Sequence, residues 1–246
     1  MQASYRPTVA EINLDDLRAN YEAFRTYLPA ETKFMACVKG NAYGHGAVEV
    51  TRELEALGAD YVSVAFLDEA LELRQAGILI PILVLGYTSP EGIAVAWENN
   101  VTVTLFTPEV LEAIKRLPLD PDHRLKVHIK IDSGMGRLGL LPEEAPAFIA
   151  EVHKVAQAEL EGMFTHFAKA DEEDKSYTLE QHRRFMGVAE ALREQELIIP
   201  IIHTGNSATA IDTPHLSINM VRIGISIYGF YPSAEVNNHL IAIRPV

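Results

Sequence analysis

The stretch YVSVAFLDEALELRQAGILIPILVL, residues 61–85, decides the fold. Its two ends, Tyr61–Ala65 and Ile82–Leu85, are short, mostly apolar runs, which is typical of strands buried on both faces. Between them, Leu67–Ala76 has apolar residues at helical spacing and is followed by Gly77, a common signal for the end of a helix. A strand, a helix and a strand in this order predict a β-α-β unit with two parallel strands.

The same alternation extends in both directions from this unit. The chain contains eight strand-like segments, which are Lys33–Val38, Tyr61–Ala65, Ile82–Leu85, Val101–Leu105, Lys126–Ile131, Glu161–Phe164, Ile201–His203 and Met220–Ile223. A helical pattern follows each of them except the last, and an additional helix, Leu14–Leu28, precedes the first. Eight parallel strands favour an α/β fold, a (β/α)8 TIM-like barrel. The alternative is an open doubly wound sheet, which usually has fewer strands.

Composition and charge exclude several classes of protein. The 246 residues are 48% apolar and 22% charged, so the chain can bury a full core. Its formal charge of −13 argues against binding to nucleic acid or to an anionic membrane. A single cysteine, Cys37, excludes an intrachain disulfide and indicates a reducing compartment. No apolar run approaches the roughly 20 residues needed to span a bilayer, so we expect a cytoplasmic protein.

The two ends of the chain do not fit the barrel pattern. Thr8–Ile12 alternates like a strand but precedes the first helix, and Leu240–Val246 begins a second strand-like alternation where the chain stops. We therefore expect residues 1–239 to form the barrel. Residues 1–12 would include a strand that pairs with a missing C-terminal β domain, and residues 240–246 would begin that domain. A short disordered tail is the alternative.

The fifth strand predicts a polar barrel interior. Its alternate positions, which would point inward, are Lys126, His128, Lys130 and Asp132. A lysine buried there needs partners or a shifted pKa. We expect His128 to be a buried hydrogen-bonding residue, because the spacing of His, Asp and Glu along the chain does not predict a metal site.

Loops after the seventh and eighth strands form the usual phosphate site of this fold. Asn206-Ser207 would begin a helix with available N–H groups and a hydroxyl, and Gly224-Ile225 offers unobstructed amides. Ordinary turn chemistry is the alternative explanation of these residues. Lys39 at the end of the first strand and an inward Arg222 favour the phosphate site over ordinary turn chemistry. Together with that site, they predict a pyridoxal phosphate Schiff-base site.

Five blocks of sequence resemble the bacterial alanine racemases. In order, they are VKGNAYGHG at 38–46, KIDSGMGRLG at 130–139, HFA at 166–168, HTGNS at 203–207 and VRIGISIYG at 221–229. The first block resembles the pyridoxal 5′-phosphate attachment motif of that family, and the resemblance covers essentially the whole chain. It implies a cofactor-binding barrel and the interconversion of L- and D-alanine, which supplies D-alanine for peptidoglycan.

The resemblance also implies roles for individual residues. Lys39 would carry the cofactor as a Schiff base and act as one of two bases, and Arg222 would donate to the pyridine nitrogen and keep it unprotonated. Arg137 would contact the phenolic oxygen of the cofactor and the substrate carboxylate. Lys130 would be carbamylated and brace that arginine. His203 would lie behind Arg222 and support it. The other residues implied at the cofactor are Tyr43, His166, Asn206, Ser207, Gly224 and Ile225.

Members of the family carry a C-terminal β domain that supplies a catalytic tyrosine to the partner subunit. The resemblance therefore implies a homodimer for full-length members. For this chain alone we expect a monomer or weak dimer that binds the cofactor and racemises alanine very slowly. The alternative function is that of a single-domain pyridoxal phosphate protein in vitamin B6 homeostasis, without turnover. A basic amino-acid decarboxylase normally lacks the continuation Tyr43–Gly46, and a phosphosugar isomerase would not need a Schiff base on Lys39.

Overall fold

Eight parallel strands form the centre of the protein, for which a computed structural model describes residues 8–236 and 241–246. The strands are β1 (Lys33–Cys37), β2 (Tyr61–Val64), β3 (Ile82–Val84), β4 (Thr102–Leu105), β5 (Leu125–Lys130), β6 (Ala158–Phe164), β7 (Ile201–His203) and β8 (Met220–Ile223). Their order in the sheet is β7-β6-β5-β4-β3-β2-β1-β8. Between β8 and the end of β7, Val221 bridges Gly205, and the N–H of Arg222 donates to the carbonyl of Gly205 at 2.9 Å. The sheet is therefore a nearly closed barrel, which confirms the (β/α)8 prediction over the open sheet.

One helix precedes the first strand, and further helices connect the successive strands. They are α1 (Leu14–Tyr27), α2 (Lys39–Tyr43), α3 (Ala47–Ala56), α4 (Leu67–Gln75), α5 (Ile93–Glu98), α6 (Pro108–Ile114), α7 (Ala145–Val152), α8 (Ser176–Glu194) and α9 (Ser207–Asp212). Helix α1 begins after Asn13, whose side chain accepts hydrogen bonds from the N–H groups of Asp15 and Asp16 and so caps the helix. In the described part of the chain, no helix combines the length and apolar character that crossing a bilayer requires.

Alternation along the strands separates two apolar layers. The side chains of Val127, Ile129 and Ile131 belong to the large core between the strands and the helices. A second and smaller cluster, formed inside the barrel, consists of Met35, Tyr61, Leu83, Ile201 and Met220. His128 and Lys130, on the opposite face of β5 from the first group, are 0% and 4% exposed. The predicted polar interior of the fifth strand is thus confirmed for His128 and Lys130, whereas the side chain of Lys126 is 47% exposed.

Neither end of the chain forms a strand within the described residues. Residues 8–13 have no regular secondary structure, so the strand predicted at Thr8–Ile12 is not observed there, and residues 1–7 lie outside the described part. Leu240 also lies outside it, and residues 241–246 form no strand. A strand needs the backbone groups of a neighbour, and the barrel strands already pair with one another. Pairing of these segments with a further domain stays a prediction.

Residues 241–246 instead contact α1 and the turn after β8. Asn20 of α1 is fully buried, donates to the carbonyls of Arg244 at 2.7 Å and Ile227 at 3.0 Å, and accepts from the Arg244 N–H at 2.7 Å. The N–H of Val246 donates to the carbonyl of Tyr228 at 3.3 Å. One amide side chain therefore holds together three segments that are distant in sequence.

Replacing Asn20 by alanine should lower the free energy of unfolding by about 1–3 kcal/mol, because it leaves polar backbone groups of the closing segment without partners. Urea denaturation measures the change. The matched control is Glu22→Ala on the exposed side of the same helix, which should stay within about 0.5 kcal/mol of the unsubstituted protein. Equal stability of the two variants would show that the Asn20 bonds do not hold residues 241–246 in place.

Candidate active site

A cavity of about 740 Å³ opens at the carboxyl ends of the strands, where barrels of this type place their active sites. The residues predicted from the sequence that line it are Lys39, Tyr43, Lys130, Arg137, His166, Asn206, Ser207, Arg222, Gly224 and Ile225. His203 does not line the cavity but contacts Arg222 directly. The fold therefore brings all the predicted site residues into one region.

Lys39 is presented by an unusual backbone turn. It begins α2, in which residues 40–43 have φ angles between 54° and 61°, in the left-handed region. Successive residues rarely adopt this region, although glycine and asparagine tolerate it best. The turn is stabilised by Asn41, whose side chain accepts from the N–H of Ala47 at 2.8 Å, and by Glu69, which accepts from the N–H of Gly40 at 2.6 Å. No local pattern predicted this conformation.

Small polar groups meet at one end of the cavity. The Ser207 hydroxyl accepts a hydrogen bond from the Gly224 N–H at 3.0 Å. A Cβ atom on Gly224 would lie 2.7 Å from the Tyr43 hydroxyl, so only glycine keeps this space open. The Asn206 side chain accepts from the N–H of Thr209 at 3.0 Å and thereby caps α9. Two hydroxyls and a close-approach amide suit the phosphate of a ligand.

Arg222 lies 4% exposed at the base of the cavity. Its NH1 group donates to His203 Nδ1 at 2.9 Å, and its NH2 group donates to the carbonyls of Thr165 at 2.9 Å and Thr204 at 3.0 Å. Burial lowers the pKa of Arg222 to about 10, so the guanidinium stays charged at neutral pH. Among the described residues, the Nε–H has no acceptor.

Cationic side chains surround the cavity, although the chain as a whole carries a charge of −13. They belong to Lys39, Lys130, Arg137 and Arg222. Burial, and then the charges of Arg222 and Arg137, lower the pKa of Lys130 well below its usual range, and its Nζ lies 4.2 Å from the centre of the Phe164 ring. The Lys130 amine therefore loses its proton more readily than an exposed lysine.

His166 is also neutral. Burial, followed by the charge of Arg222, lowers the pKa of its imidazole to about 2. The ring adds no positive charge of its own, so the local field that attracts an anion comes from the lysines and arginines.

Arg137 is placed at the mouth by the loop after β5. The carboxylate of Asp132 accepts from the N–H groups of Gly134 at 2.9 Å, Gly136 at 3.0 Å and Arg137 at 2.9 Å. The hydroxyl of Tyr177 donates to the carbonyl of Gly134 at 2.7 Å from the other side. The loop is therefore held by both its own aspartate and a residue of α8.

The sequence reasoning missed the apolar lining of the cavity. Phe66, Leu85, Tyr87, Met135 and Phe164 all contribute to it. An apolar residue in a loop after a strand looks the same whether it packs on the core or faces a ligand, so no pattern singled these out. Among the described residues, no group of three or more His, Cys, Asp or Glu lies close enough to hold a metal ion.

The cavity fits the cofactor predicted from the sequence. Gly224 and Ser207 leave a cradle that a Cβ atom would fill, as a phosphate requires. The unused Nε–H of the buried Arg222 suits a ring nitrogen that accepts a hydrogen bond. Lys39 supplies an amine in the same cavity. These three features match the phosphate, the ring and the aldehyde of pyridoxal 5′-phosphate.

Comparison with known proteins points to one family. Residues 12–232 match the family model described as alanine racemase, N-terminal domain. Alanine racemase 1 of Oceanobacillus iheyensis is 43% identical over 238 residues, which are 96% of this chain and 63% of that protein. An alanine racemase of Methanococcus maripaludis is 43% identical over 240 residues, covering 97% and 64% of the two chains. The chain thus spans less than two thirds of the length of these relatives.

Solved structures of similar proteins agree. An alanine racemase of Clostridium difficile 630, solved in complex with cycloserine, matches with a TM-score of 0.93 and 43% identity over 99% of this chain and 67% of that chain. The alanine racemase of Bacillus anthracis with bound L-Ala-P matches with a TM-score of 0.92 and 41% identity over 99% and 64%. These matches confirm the resemblance found in the five sequence blocks, and the chain belongs to the alanine racemase family, along its N-terminal domain.

Proposed function

We propose that this chain is the part of an alanine racemase that binds pyridoxal 5′-phosphate and carries it on Lys39. The family assignment confirms the predicted cofactor, because alanine racemases depend on it. The observation that carries the proposal is the common cavity, in which Lys39 faces the same space as the unused Nε–H of Arg222 and the cradle at Gly224. Alanine as the substrate is part of the same proposal.

The cofactor, when bound, supplies an electron-withdrawing ring that acidifies the Cα proton of an attached amino acid. Lys39 would hold the cofactor aldehyde through its amine, and the same amine could hold or return the Cα proton on one face. Arg222 would offer its Nε–H to the ring nitrogen. Because a guanidinium does not readily give up its proton, that nitrogen stays an unprotonated acceptor, which restrains side reactions such as transamination.

The remaining site residues bind and orient the cofactor and the substrate. Tyr43, Ser207, Gly224 and Ile225 hold the phosphate, with Asn206 capping α9 beside them, and His166 lies against the ring as a neutral imidazole. Arg137 binds the phenolic oxygen and the substrate carboxylate. These roles are supported by the positions of the side chains around one cavity and by the cationic field at its mouth.

Lys130 is proposed to be carbamylated. Its neutral amine attacks carbon dioxide, forms an N–C bond and releases a proton, leaving an anionic carbamate that pairs with Arg137. The burial of Lys130 and the two neighbouring guanidiniums favour this product, because they disfavour a third positive charge at the same place.

Racemisation needs a second proton carrier on the opposite face of the substrate. By resemblance, this is a tyrosine of a C-terminal β domain contributed by the partner subunit of a homodimer. We therefore propose that the 246 residues alone form a monomer or weak dimer with little racemase activity. The domain organisation, with a barrel over residues 1–239 and a β domain beginning at residues 240–246, and the cytoplasmic location stay predictions.

Purified protein with pyridoxal 5′-phosphate should show the yellow absorbance of a lysine adduct, and borohydride should remove it. Peptide mass mapping after reduction should place the cofactor on Lys39, because its Nζ lies 5.9 Å from the centre of the Tyr43 ring, whose hydroxyl borders the cradle at Gly224. Attachment at Lys130, or no attachment, would contradict the proposal. A cofactor that is bound but passed readily to an apo-enzyme, without any exchange of the Cα proton of alanine, would favour the single-domain carrier instead.

A further inference from the structure

A continuous chain of hydrogen bonds runs down the barrel interior below the cavity, and the proposed function does not use it. Arg222 NH1 lies 2.9 Å from His203 Nδ1, and His203 Nε2 lies 2.9 Å from His128 Nδ1. His128 Nε2 lies 3.0 Å from Glu161 Oε2, and Lys126 Nζ donates to Glu161 Oε1 at 2.8 Å. Both imidazoles are fully buried, whereas the side chain of Lys126 is 47% exposed. The chain therefore connects the base of the cavity to a partly solvated ion pair.

The chemistry of the two ends determines where each proton lies. A guanidinium only donates, so His203 Nδ1 must accept and the proton of this neutral ring must lie on Nε2. That N–H then donates to His128 Nδ1, which places the proton of the second ring on its own Nε2. The carboxylate of Glu161 only accepts, so it receives this last N–H. Every donor between Arg222 and Glu161 points toward Glu161, and Lys126 donates to the same carboxylate from the other side.

The charges along the chain support this direction. Burial first lowers the pKa of both His128 and His203, so both rings are neutral. Burial raises the pKa of Glu161, but the hydrogen bonds from His128 and Lys126 outweigh it and lower that pKa to about 2, so Glu161 is ionised. The other ionisable groups nearby are Tyr61, whose pKa is raised above its ordinary value first by burial, and Lys130.

The backbone holds the two imidazoles in place. The pairing of β5 with β6 shifts register between Val127 and His128, and Gly162 is the residue opposite His128. A Cβ atom at Gly162 would lie 2.6 Å from the His128 ring, so the ring occupies space that only glycine leaves free. The ring of His203 is stacked on Phe164, with 4.7 Å between centroids. Neither ring can turn over without displacing its neighbours.

We propose that Glu161 and His128 are positioning residues for Arg222. Arg222 and Glu161 impose the same direction from opposite ends of the hydrogen-bond series. His128 transmits the constraint of Glu161 to His203, which therefore presents an acceptor to the guanidinium. If the direction of these hydrogen bonds were reversed, an N–H of His203 would face an N–H of Arg222. The guanidinium would then be displaced from the position in which it meets the pyridine nitrogen of the cofactor. The inference rests on the proposed function only for that last contact, because the proton positions do not depend on a ligand.

The test begins with the protein free of cofactor and labelled with nitrogen-15 in its histidines. Long-range proton–nitrogen correlation spectra should show both rings protonated at Nε2 and unprotonated at Nδ1. This pattern should not change through the range around pH 6.5 in which an ordinary histidine titrates. A proton on Nδ1 of either ring, or titration of either ring in this range, would overturn the proposal even if no variant folds.

Glu161→Gln keeps the shape of the side chain but can donate as well as accept, so the direction is then imposed by Arg222 alone and no longer from both ends. We expect a second set of signals from rings protonated at Nδ1. The matched control is Lys126→Ala, which removes the exposed cation but keeps the carboxylate and should preserve the original tautomers. Unchanged tautomers in a folded Glu161→Gln protein would also overturn the proposal.

In the protein loaded with cofactor, Glu161→Gln should raise transamination relative to exchange of the Cα proton. We expect a change of about 10- to 100-fold, the size seen when a residue that orients a metal-bound histidine is removed, because Glu161 acts in the same indirect way. Glu161→Asp, which restores an acceptor-only carboxylate, should recover part of this ratio, whereas a purely structural effect would not depend on the acceptor. An unchanged ratio in Glu161→Gln would show that the chain does not position Arg222. Failure to bind the cofactor would contradict the proposed function but leave the tautomer result standing.

Discussion

Substituting Lys39 by alanine should remove almost all exchange of the Cα proton of D-alanine by this chain. In the proposed function, a single amine both attaches the cofactor and serves as the base, and the substitution deletes it. Loss of a positioned acid–base group alone costs about 10²–10⁴ in rate, and loss of the covalent attachment adds to it. Proton NMR of D-alanine in deuterated buffer, with excess pyridoxal 5′-phosphate, measures the exchange.

Lys33→Ala is the matched control for this substitution. Lys33 lies at the other end of β1, its side chain is 46% exposed, and its ion pair with Asp60 is long, at 3.8 Å. An exposed pair of this kind contributes little to stability, so the control should bind cofactor and exchange the proton at the original rate. Exchange that persists in Lys39→Ala at the rate of the control would show that another group, and not Lys39, is the base.

The 246-residue chain should exchange the Cα proton of D-alanine faster than that of L-alanine, and mostly with retention of configuration. Lys39 is one base, and by resemblance it serves the face that handles D-alanine. The second base is implied to be a tyrosine outside the barrel, so its absence costs about 10²–10⁴ in the rate of racemisation. Deuterium incorporation into each enantiomer, followed by chiral chromatography, separates exchange from racemisation.

A full-length relative assayed under the same conditions is the reference for this second experiment. It should exchange both enantiomers at similar rates and convert one into the other. Equal exchange of both enantiomers by the 246-residue chain, or turnover equal to that of the relative, would mean that a residue of the barrel itself supplies the second base.

The sequence predicts the architecture because both of its signals are local. Apolar runs such as Ile82–Val84 and helical patterns such as Leu67–Gln75 are recognisable within a few residues. Their regular alternation favours a parallel barrel, because each helix connects two strands that run in the same direction. The alternation in β5 likewise predicts that His128 and Lys130 point inward, since successive side chains of a strand face opposite sides. Positions at the carboxyl ends of the strands then predict the site before any coordinates are known.

Local signals also fail in identifiable places. The left-handed turn at residues 40–43 is held by Asn41 and Glu69, and Glu69 belongs to a different helix. The alternation at Thr8–Ile12 predicts a strand that would pair with a further domain; residues 8–13 have no regular secondary structure, and that pairing stays a prediction. No sequence pattern distinguishes apolar residues that line the cavity, such as Phe66, from apolar residues of the core.

The sequence by itself therefore determined the succession of strands and helices, the inward face of β5 and the set of residues that would meet at the barrel mouth. Only the tertiary structure decided how those residues act on one another. These interactions join four strands, because His128 lies on β5, Glu161 on β6, His203 on β7 and Arg222 on β8. Closure of the barrel brings their side chains within hydrogen-bond distance. Burial in that closed interior lowers the pKa of Lys130 and of the imidazoles, because desolvation and contacts between distant segments exist only in the folded chain.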